Sequence, residues 1–401
     1  MADFTTESNK IMAAIGPQRT PLSKAATTII GLFTRDYTVA TRTAQALLPT
    51  TPILIRRITT TAQIMQPQSF PMSAIPHAIT AHIKSSGTIQ TEIRVSEFSM
   101  GDGHYVSLLF YLEKAAAPSA AKIAAVMVRV LTWLVMIYQY KAQPRSGCPP
   151  PRHLRCLFYL TSLKKTLPAG RGVVLSEINA NTAFTRTCAA DTNEIVVYRS
   201  EEWFKVFIHE TIHTFGLDFS GMGVAALAPC SAQMRDLFGV NSTVNVNLYE
   251  AYTEFWAEVI NALFCAAAGR NPRGLLGAEA AFGRQQMHKV LRHMGLNYAD
   301  LVAQSEGHGA TYKEGTSILA YYIIKNILLT SDADFFAWVL ANHRMAPTST
   351  FLGVVDFPKT QTAIKGFCQF ITEHNRVPRL LHDADSHTKT MRMTACELQT
   401  F

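Results

Sequence analysis

The sequence predicts an α+β fold, with a strand-rich first part and a mainly helical second part. Short runs of β-branched and aromatic residues, such as "TIQTEIRVS" and "YVSLLFYLE", are bounded by turn residues and precede the longer helical stretches. The 401 residues are 48% hydrophobic and only 16% charged, which is typical of a folded globular chain and not of a disordered one. This length is sufficient for two or three domains.

The two ends of the chain are predicted to lie outside the core. Residues 1–75 are rich in threonine, alanine and proline, with proline in "LLPTTP" and "MQPQSFP". Because they show no sustained helical or strand period beyond short pieces such as "ATTIIGLF", we predict an extended N-terminal arm. Residues 356–401 are predicted to form a C-terminal tail.

The core is predicted to begin with a strand-rich part over residues 76–220. Strands are predicted in "AITAHIKS", "TIQTEIRVS" and "YVSLLFYLE", then a helix at about 120–140, then a strand in "LRCLFYLTS". The helix contains the longest apolar run, but Lys122 and Arg129 fall inside it. Because a charge near the centre of a bilayer costs about 3 kcal/mol, we predict a buried core helix and no membrane span.

Charge and cysteine usage limit the partners and the compartment. The net charge is +8, but the basic residues are scattered, so the sequence gives no strong nucleic-acid signal. Seven cysteines include no CxxC pair, and "MADFTTESNK" has no signal-peptide pattern. We therefore expect a protein of an intracellular, reducing compartment.

A metal-binding pattern lies in "FKVFIHETIHTFGLDF". Ser200 as N-cap and Gly216 as the left-handed C-terminal residue predict a helix over residues 201–215. His209 and His213 are four residues apart, so both imidazoles project from one face and can share one tetrahedral metal ion. The alternative is a core helix that carries two hydrogen-bonded histidines.

A second helix, over residues 249–268, is predicted to supply the third ligand within a mainly helical part at 221–355. Glu250, Glu254 and Glu258 recur every four residues and form one acidic stripe on an otherwise apolar helix. A solvated face is one interpretation of this stripe. However, the helix contains no Lys or Arg and aromatic residues flank the stripe, so a metal ion held by the two histidines is the favoured cation.

This donor set suits zinc and hydrolysis. Two neutral imidazoles and one carboxylate leave one position on zinc open, where the ion lowers the pKa of water to about 7 and polarises a carbonyl group. Glu210 follows His209 directly and can take the proton of that water and deliver it to the leaving amine. The sequence therefore predicts a zinc cofactor, with Glu210 as the general base.

HExxH followed by a helical ExxxE resembles the gluzincin branch of the zinc metallopeptidases. The resemblance implies that His209, His213 and Glu250 bind the zinc ion. It also implies that Glu254 orients a histidine. The chemical alternative is a shifted register, with Glu254 as the ligand and Glu258 behind it, because helix boundaries are uncertain by two to four residues.

A narrower resemblance covers about residues 120–330. The segments "NANTAFT", "EIVVYRSEEWFKVFIHETIHTFGLDF", "EAYTEFWAEVIN" and "KEGTSILAYYIIK" are similar to metallopeptidase-like proteins encoded by large DNA viruses and some double-stranded RNA viruses. This resemblance implies a viral protein with a zincin-like fold, a small mixed sheet packed on the active-site helix. The compartment expected for such a protein is the host cytoplasm or the virion. The peptide or protein substrate is the expectation from the zinc chemistry. Metzincins share HExxHxxG, but Phe219 stands where they need a third histidine or an aspartate.

A structural virion protein on the same fold, such as a capsid clamp or shell-associated protein, is the competing hypothesis. The low overall charge and the long N-terminal arm, which could link neighbouring capsid or other virion proteins, favour it. The intact set of His209, Glu210, His213 and Glu250 favours the peptidase, because a pure clamp does not need catalytic residues.

Further candidates flank the metal centre. Within the zincin-like frame, "NANTAFT" is the edge strand beside the metal-binding helix, where an extended peptide could add as an antiparallel strand. Asn179 and Asn181 are candidate substrate contacts, with asparagines in a turn as the alternative. The candidate oxyanion donors, which have core packing as their alternative, are His308, Tyr312, Tyr321 and Tyr322.

Overall fold

The computed structural model describes residues 3–18, 21–142, 147–302, 311–343, 350–376 and 389–401. These residues form an α+β fold with one mixed sheet, which confirms the predicted fold class at that level. The strands are β1 (Ile53–Arg57), β2 (Thr91–Gly101), β3 (His104–Leu112), β4 (His153–Leu160), β5 (Ala183–Thr185) and β6 (Thr192–Val197).

Helices make up most of the second half of the chain. They are α1 (Thr6–Ile15), α2 (Lys24–Leu47), α3 (His77–Lys84), α4 (Ala120–Lys141), α5 (Glu177–Ala180), α6 (Trp203–Thr214), α7 (Val224–Leu237), α8 (Leu248–Ala267), α9 (Pro272–Met294), α10 (Tyr298–Val302), α11 (Lys325–Thr330), α12 (Asp332–Asn342), α13 (Phe351–Val355) and α14 (Gln361–His374). A π-helical segment, Leu319–Ile324, leads directly into α11.

The sheet has the strand order β1-β2-β3-β4-β6-β5. The pairs β3–β4 and β4–β6 are parallel, whereas β1–β2, β2–β3 and β5–β6 are antiparallel. β4 lies in the middle of the sheet and is buried on both faces, which explains the continuous apolar run in "CLFYL". β5 forms one edge of the sheet.

The two faces of the sheet belong to different apolar clusters. On one face, the rings of Phe110 and Phe158 pack edge-on against Trp203 at the start of α6, with centroids 5.9 and 5.5 Å from it. On the other face, Leu109 and its neighbours contact the isoleucines of α3 and of residues 58–75. Successive side chains along one strand therefore pack alternately into the large apolar cluster on one face of the sheet and the smaller cluster on the other.

α4 is the one helix, within the described ranges, that is long and apolar enough to cross a bilayer. Most of its side chains are buried inside this fold, and Trp133 donates to the hydroxyl of Thr211 on α6 at 2.6 Å. Arg129 is also buried, where it donates to the carbonyl of Gln399 at 3.0 Å and lies over the ring of Phe204. The structure thus confirms the predicted core position of this helix.

The prediction of an extended arm over residues 1–75 is wrong. This region contains the helices α1 and α2 and the strand β1, and α2 packs on α4. Ile29, Phe33, Ala40 and Ala44 lie on one face of α2 and are buried. Two of these four side chains are alanines, so the apolar face was weak in a sequence rich in threonine and alanine.

Two further predictions need correction. "AITAHIKS" forms the helix α3 and not a strand. Its two isoleucines, Ile79 and Ile83, are four residues apart, so they lie on one face of the helix, and both are buried. The predicted C-terminal tail is part of the core, since residues 389–401 run through it. There the buried carboxylates of Glu202 and Glu279 each accept two backbone N–H groups of this segment, at 2.6–3.0 Å.

Substitution of Phe33 tests whether α2 belongs to the core. The Phe33 side chain is 2% exposed, and its ring meets Phe264 and Phe351 edge-on at 5.7 and 5.1 Å. Phe33→Ala should lower the free energy of unfolding by about 3–5 kcal/mol, the usual effect of removing a buried ring. Val39, 53% exposed on the same helix, is the matched control. Val39→Ala should change that free energy by less than about 0.5 kcal/mol in urea denaturation, and equally small effects would contradict the packing.

Candidate metal centre

Helix α6 carries the two histidines. It begins at Trp203, two residues later than predicted. Glu202, just before it, adopts a left-handed conformation (φ 60°), which is not helical and therefore keeps the helix from starting earlier. The predicted N-cap, Ser200, therefore lies outside the helix. At the other end Gly216 has φ 55°, the left-handed conformation predicted for it. α6 packs between the sheet and α8. The observed bounds of α8 differ from the predicted 249–268 by one residue at each end.

Three donor atoms converge between α6 and α8. His209 Nε2 lies 3.1 Å from His213 Nε2 and 3.2 Å from Glu250 Oε2, and His213 Nε2 lies 3.4 Å from the same oxygen. A tetrahedral zinc ion with bonds of about 2.0–2.1 Å holds its ligands about 3.3 Å apart. The three atoms could therefore hold one metal ion, and their separations are compatible with tetrahedral coordination.

Carboxylates fix the other nitrogen of each histidine. His209 Nδ1 donates to Glu254 Oε2 at 2.9 Å, and His213 Nδ1 donates to Asp218 Oδ2. These bonds turn each Nε2 toward the triangle, where it can offer its lone pair to a metal ion. Because Glu254 meets the outer nitrogen of His209 and Glu250 the inner one, the shifted register with Glu254 as ligand does not fit the structure.

The two orienting carboxylates are held in turn. Lys205, one helical turn before His209, donates to Glu254 Oε1 at 2.5 Å, and both side chains are buried. Asp218 is fully buried and accepts the Ser220 hydroxyl at 2.8 Å and the Thr253 hydroxyl at 3.2 Å. Each histidine is therefore held by a carboxylate that is itself held by other buried side chains.

The carboxylates set the charge of the metal-free centre. Burial lowers the pKa of His209, but hydrogen bonds to Glu250 and Glu254 outweigh it and raise the pKa above its ordinary value. Burial likewise lowers the pKa of His213, but the charges of Asp218 and Glu250 raise it well above the usual range. Burial raises the pKa of Glu250, yet the two histidines hold it well below its usual value. Protons on the histidines therefore compete with a metal ion for this site.

A small cavity opens beside the triangle. It is lined by His209, Glu210, Tyr321 and residues 181–183 at the start of the edge strand. Burial raises the pKa of Glu210, and its carboxylate makes no hydrogen bond to another side chain in the described part of the chain. Tyr321 donates its hydroxyl to Glu250 Oε2 at 3.1 Å. The predicted base and one predicted oxyanion donor thus share this cavity with a metal-site histidine.

The structure separates the last glutamate of the stripe from the centre. Glu258 pairs with Lys325 at 2.7 Å, and both side chains are 0% exposed. Burial raises the pKa of Glu258 well above its usual value, although Lys325 opposes this. The interpretation of the stripe as a solvated face is therefore wrong.

The remaining candidates have varied positions. The amide of Asn179 caps α5 and donates to the carbonyl of Thr166, so it has a local structural role. Asn181 lines the small cavity. The hydroxyl of Tyr312 donates to Glu314 and that of Tyr322 to the carbonyl of Met391, both away from the triangle, and His308 lies outside the described residues.

Sequence reasoning missed Lys205 and Asp218. Lys205, His209 and His213 recur every four residues, so a lysine in an apolar helix on the ligand face was an available signal. Asp218 follows the turn at Gly216, and only the direction in which the chain leaves the helix brings it back to His213. No sequence spacing predicts that direction.

Cys148 and Cys188 form a disulfide beside the end of α6, whereas the other five cysteines are free and buried. The irregular spacing did not predict this pair, which is an exception to the thiols expected in a reducing compartment. A Cβ atom on Gly216 would lie 2.6 Å from Cys188 Sγ and 2.7 Å from Cys148 Cβ. Space as well as the positive φ therefore requires glycine at this position.

No protein-family model, curated protein or solved structure matches the chain. Conclusions about function therefore depend on the residues of the centre and their geometry.

Removal of single carboxylates should rank their roles in zinc binding. Glu250→Gln should abolish tight binding, because it replaces the anionic carboxylate of the triangle with a neutral amide, which is a much weaker zinc donor. Glu254→Gln and Asp218→Asn should weaken binding about 10- to 100-fold, the usual effect of losing a group that orients a ligand. The exposed Glu97 is the control, and Glu97→Gln should bind like the unaltered protein. Competition with a chromogenic chelator measures all four, and full affinity in Glu250→Gln would exclude it as a ligand.

Zinc binding should release protons near pH 7. The raised pKa values of His209 and His213 leave the metal-free centre partly protonated there, whereas zinc needs both Nε2 lone pairs. Affinity should therefore rise with pH until both histidines are neutral. The stability of the metal-free protein has the opposite sign: the contribution of these histidines is complete below their unfolded pKa of about 6.5 and is lost as pH rises through the folded values. Calorimetry in buffers of different ionisation enthalpy counts the protons, and none released at pH 7 would contradict the assignment.

Proposed function

We propose that the protein is a zinc-dependent metallopeptidase with a zincin-like arrangement of sheet and metal-binding helix. The observation that carries the proposal is the triangle of His209 Nε2, His213 Nε2 and Glu250 Oε2, whose edges of 3.1–3.4 Å suit one tetrahedral ion. Two imidazoles and one carboxylate are a donor set of hydrolytic zinc sites, in which a fourth position stays open. When bound, zinc supplies Lewis-acid chemistry toward a carbonyl group and lowers the pKa of water.

Glu210 is the proposed general base. Its carboxylate lines the small cavity beside His209, and its raised pKa lies closer to neutral pH than that of an exposed glutamate. A base whose pKa approaches the working pH can both accept a proton from water and return it to the leaving amine. The absence of a hydrogen bond to another described side chain leaves both carboxylate oxygens available for this transfer.

Tyr321 is the proposed donor for the developing oxyanion. It is the candidate among the described tyrosines whose hydroxyl reaches the triangle, at 3.1 Å from Glu250 Oε2. Tyr321 also lines the cavity that Glu210 lines. A phenol in this position can donate to negative charge that forms on the carbonyl oxygen of a peptide.

The free edge of β5 is the proposed binding strand for the substrate. β5 pairs with β6 on one side, and residues 181–183 line the cavity that contains Glu210. An extended peptide that adds antiparallel to this edge gains main-chain hydrogen bonds that are independent of its sequence. This supports a peptide or protein as the substrate.

The structural virion role loses one of the two observations that favoured it, the long N-terminal arm. Residues 6–57 form two helices and a strand of the sheet, with Phe33 and Ile29 in the core, so they are not a free arm that links capsid neighbours. The intact ligand set and the cavity beside it favour catalysis. The viral origin rests on resemblance alone.

Glu210→Gln is the direct test of the mechanism. Glutamine keeps the size of the side chain but cannot accept the proton, so the variant should retain zinc and lose about 10²- to 10⁴-fold in turnover. Metal analysis measures the zinc content, and mass spectrometry of a peptide library measures cleavage. The matched control, Glu97→Gln, should retain both. Unchanged turnover in Glu210→Gln would contradict the assignment of Glu210 as the general base. Zinc binding without any cleavage by the unaltered protein would favour the structural role.

A further inference from the structure

A polar cavity of about 470 Å³ lies next to the metal centre and is not used by the mechanism above. It is enclosed by residues 243–247 before α8, by residues 312–317 before the π-helical segment, and by Val174. Five of its lining residues carry small, uncharged polar side chains, namely Thr243, Asn245, Asn247, Thr316 and Ser317. Hydroxyl and amide groups of this kind can both donate and accept hydrogen bonds.

Two hydrogen bonds show that this polar cavity lies close to the proposed catalytic residues. Asn247, three residues before Glu250, donates from Nδ2 to Ser317 Oγ at 3.2 Å, and Ser317 lies four residues before Tyr321. Thr316 donates its hydroxyl to Asn181 Oδ1 at 3.1 Å. Because Asn181 lines the small cavity beside Glu210 and Thr316 lines the polar cavity, this hydrogen bond joins the linings of the two cavities.

The charge of the polar cavity is not balanced. Lys313 lines it and is exposed, and no carboxylate in the described residues lies within ion-pair distance of its ammonium group. The neighbouring Glu314 is engaged elsewhere, since its Oε2 accepts the Tyr312 hydroxyl at 2.8 Å and the backbone N–H of Leu319 at 2.7 Å. Burial raises the pKa of Glu314 to about 7, so its negative charge is incomplete at neutral pH. A ligand with a negative charge therefore suits this cavity.

The direction of β5 decides which part of a peptide would reach the polar cavity. The chain runs from Ala183 to Thr185 along the edge, so an antiparallel peptide has its carboxyl end toward Asn181. Asn181 accepts the hydroxyl of Thr316, which lines the polar cavity. Residues that follow the scissile bond are thus directed toward Lys313.

We propose that the polar cavity is the subsite for substrate residues on the carboxyl side of the scissile bond, and that Lys313 selects a carboxylate there. That carboxylate belongs either to an aspartate or glutamate side chain or to the free end of a short peptide. The ammonium group supplies the charge, while Asn247, Thr316 and their neighbours supply hydrogen bonds to the carboxylate oxygens. This inference rests on the proposed function, because it assigns a side of the scissile bond.

The first experiment reads the cleavage sites of the zinc-loaded full chain in a peptide library by mass spectrometry. In the unaltered protein, acidic residues should be enriched in the three positions after the cleaved bond. Lys313→Gln should reduce this enrichment about fivefold, and Lys313→Glu should reduce it more than about tenfold and favour Lys or Arg instead, as expected for one exposed charge pair and its reversal. Lys122→Glu, the same charge change at a distant exposed lysine, should leave the preference unchanged. Cleavage without acidic preference would overturn the subsite and leave the peptidase intact.

The second experiment does not require cleavage. Fluorescence anisotropy measures the affinity of zinc-loaded Glu210→Gln protein for labelled peptides that contain glutamate, glutamine or lysine, each with a free or an amidated carboxyl end. Tighter binding of the glutamate peptides, lost when Lys313→Glu is added, supports recognition of a side chain. Loss of affinity on amidation alone assigns the terminal carboxylate instead. Equal affinity for all peptides would overturn the subsite. Charge-selective binding by this variant, together with no cleavage of the library by the unaltered protein, would keep the subsite and contradict the proposed peptidase.

Discussion

The need of three glutamates on one face of α8 for cationic partners is the constraint on which the centre depends. Glu250, Glu254 and Glu258 recur every four residues. Glu254 and Glu258 are buried and Glu250 is 16% exposed, and a carboxylate without a partner is costly in such surroundings. Lys325 meets Glu258, Lys205 and His209 meet Glu254, and the two histidines meet Glu250. These pairs fix where α6 and α11 lie on α8. The proposed zinc site therefore lies at the outer end of a row of carboxylates that each have a hydrogen-bonded partner, and the interior contacts hold its ligands in place.

Sequence spacing predicted the parts of the centre that depend on one helix at a time. His209 and His213, like Glu250 and Glu254, are related by the helical period, which is independent of the rest of the fold. Asp218 was missed because its contact with His213 depends on how the chain turns after Gly216. The pairing of α6 with α8 was inferred from chemistry, since a buried acidic stripe needs a cation. The specific register, with Glu254 at Nδ1 of His209 and Glu250 at Nε2, required the three-dimensional structure.

The errors in the fold have a common physical origin. The buried face of α2 is made partly by alanines, which contribute little to a hydrophobic pattern but allow helices to approach closely, so the segment was taken for an arm. The last segment, "TMRMTACELQTF", is buried although it is not strongly apolar. Its backbone N–H groups are satisfied by Glu202 and Glu279, which are distant in sequence. A periodicity argument has no access to such partners, because it considers each segment alone.

The contact of this segment with α6 has a consequence for biosynthesis. Glu202, at the start of α6, accepts N–H groups of residues 393 and 394, and its own N–H donates to Glu397, 195 positions later, at 2.7 Å. While a ribosome is still translating the intervening residues, the first turn of the histidine-bearing helix lacks these partners and Glu202 has no donors from that segment. The hydrogen bonds at the start of α6 can therefore form only after the chain through Glu397 has emerged, so we expect the proposed metal centre to complete its fold late.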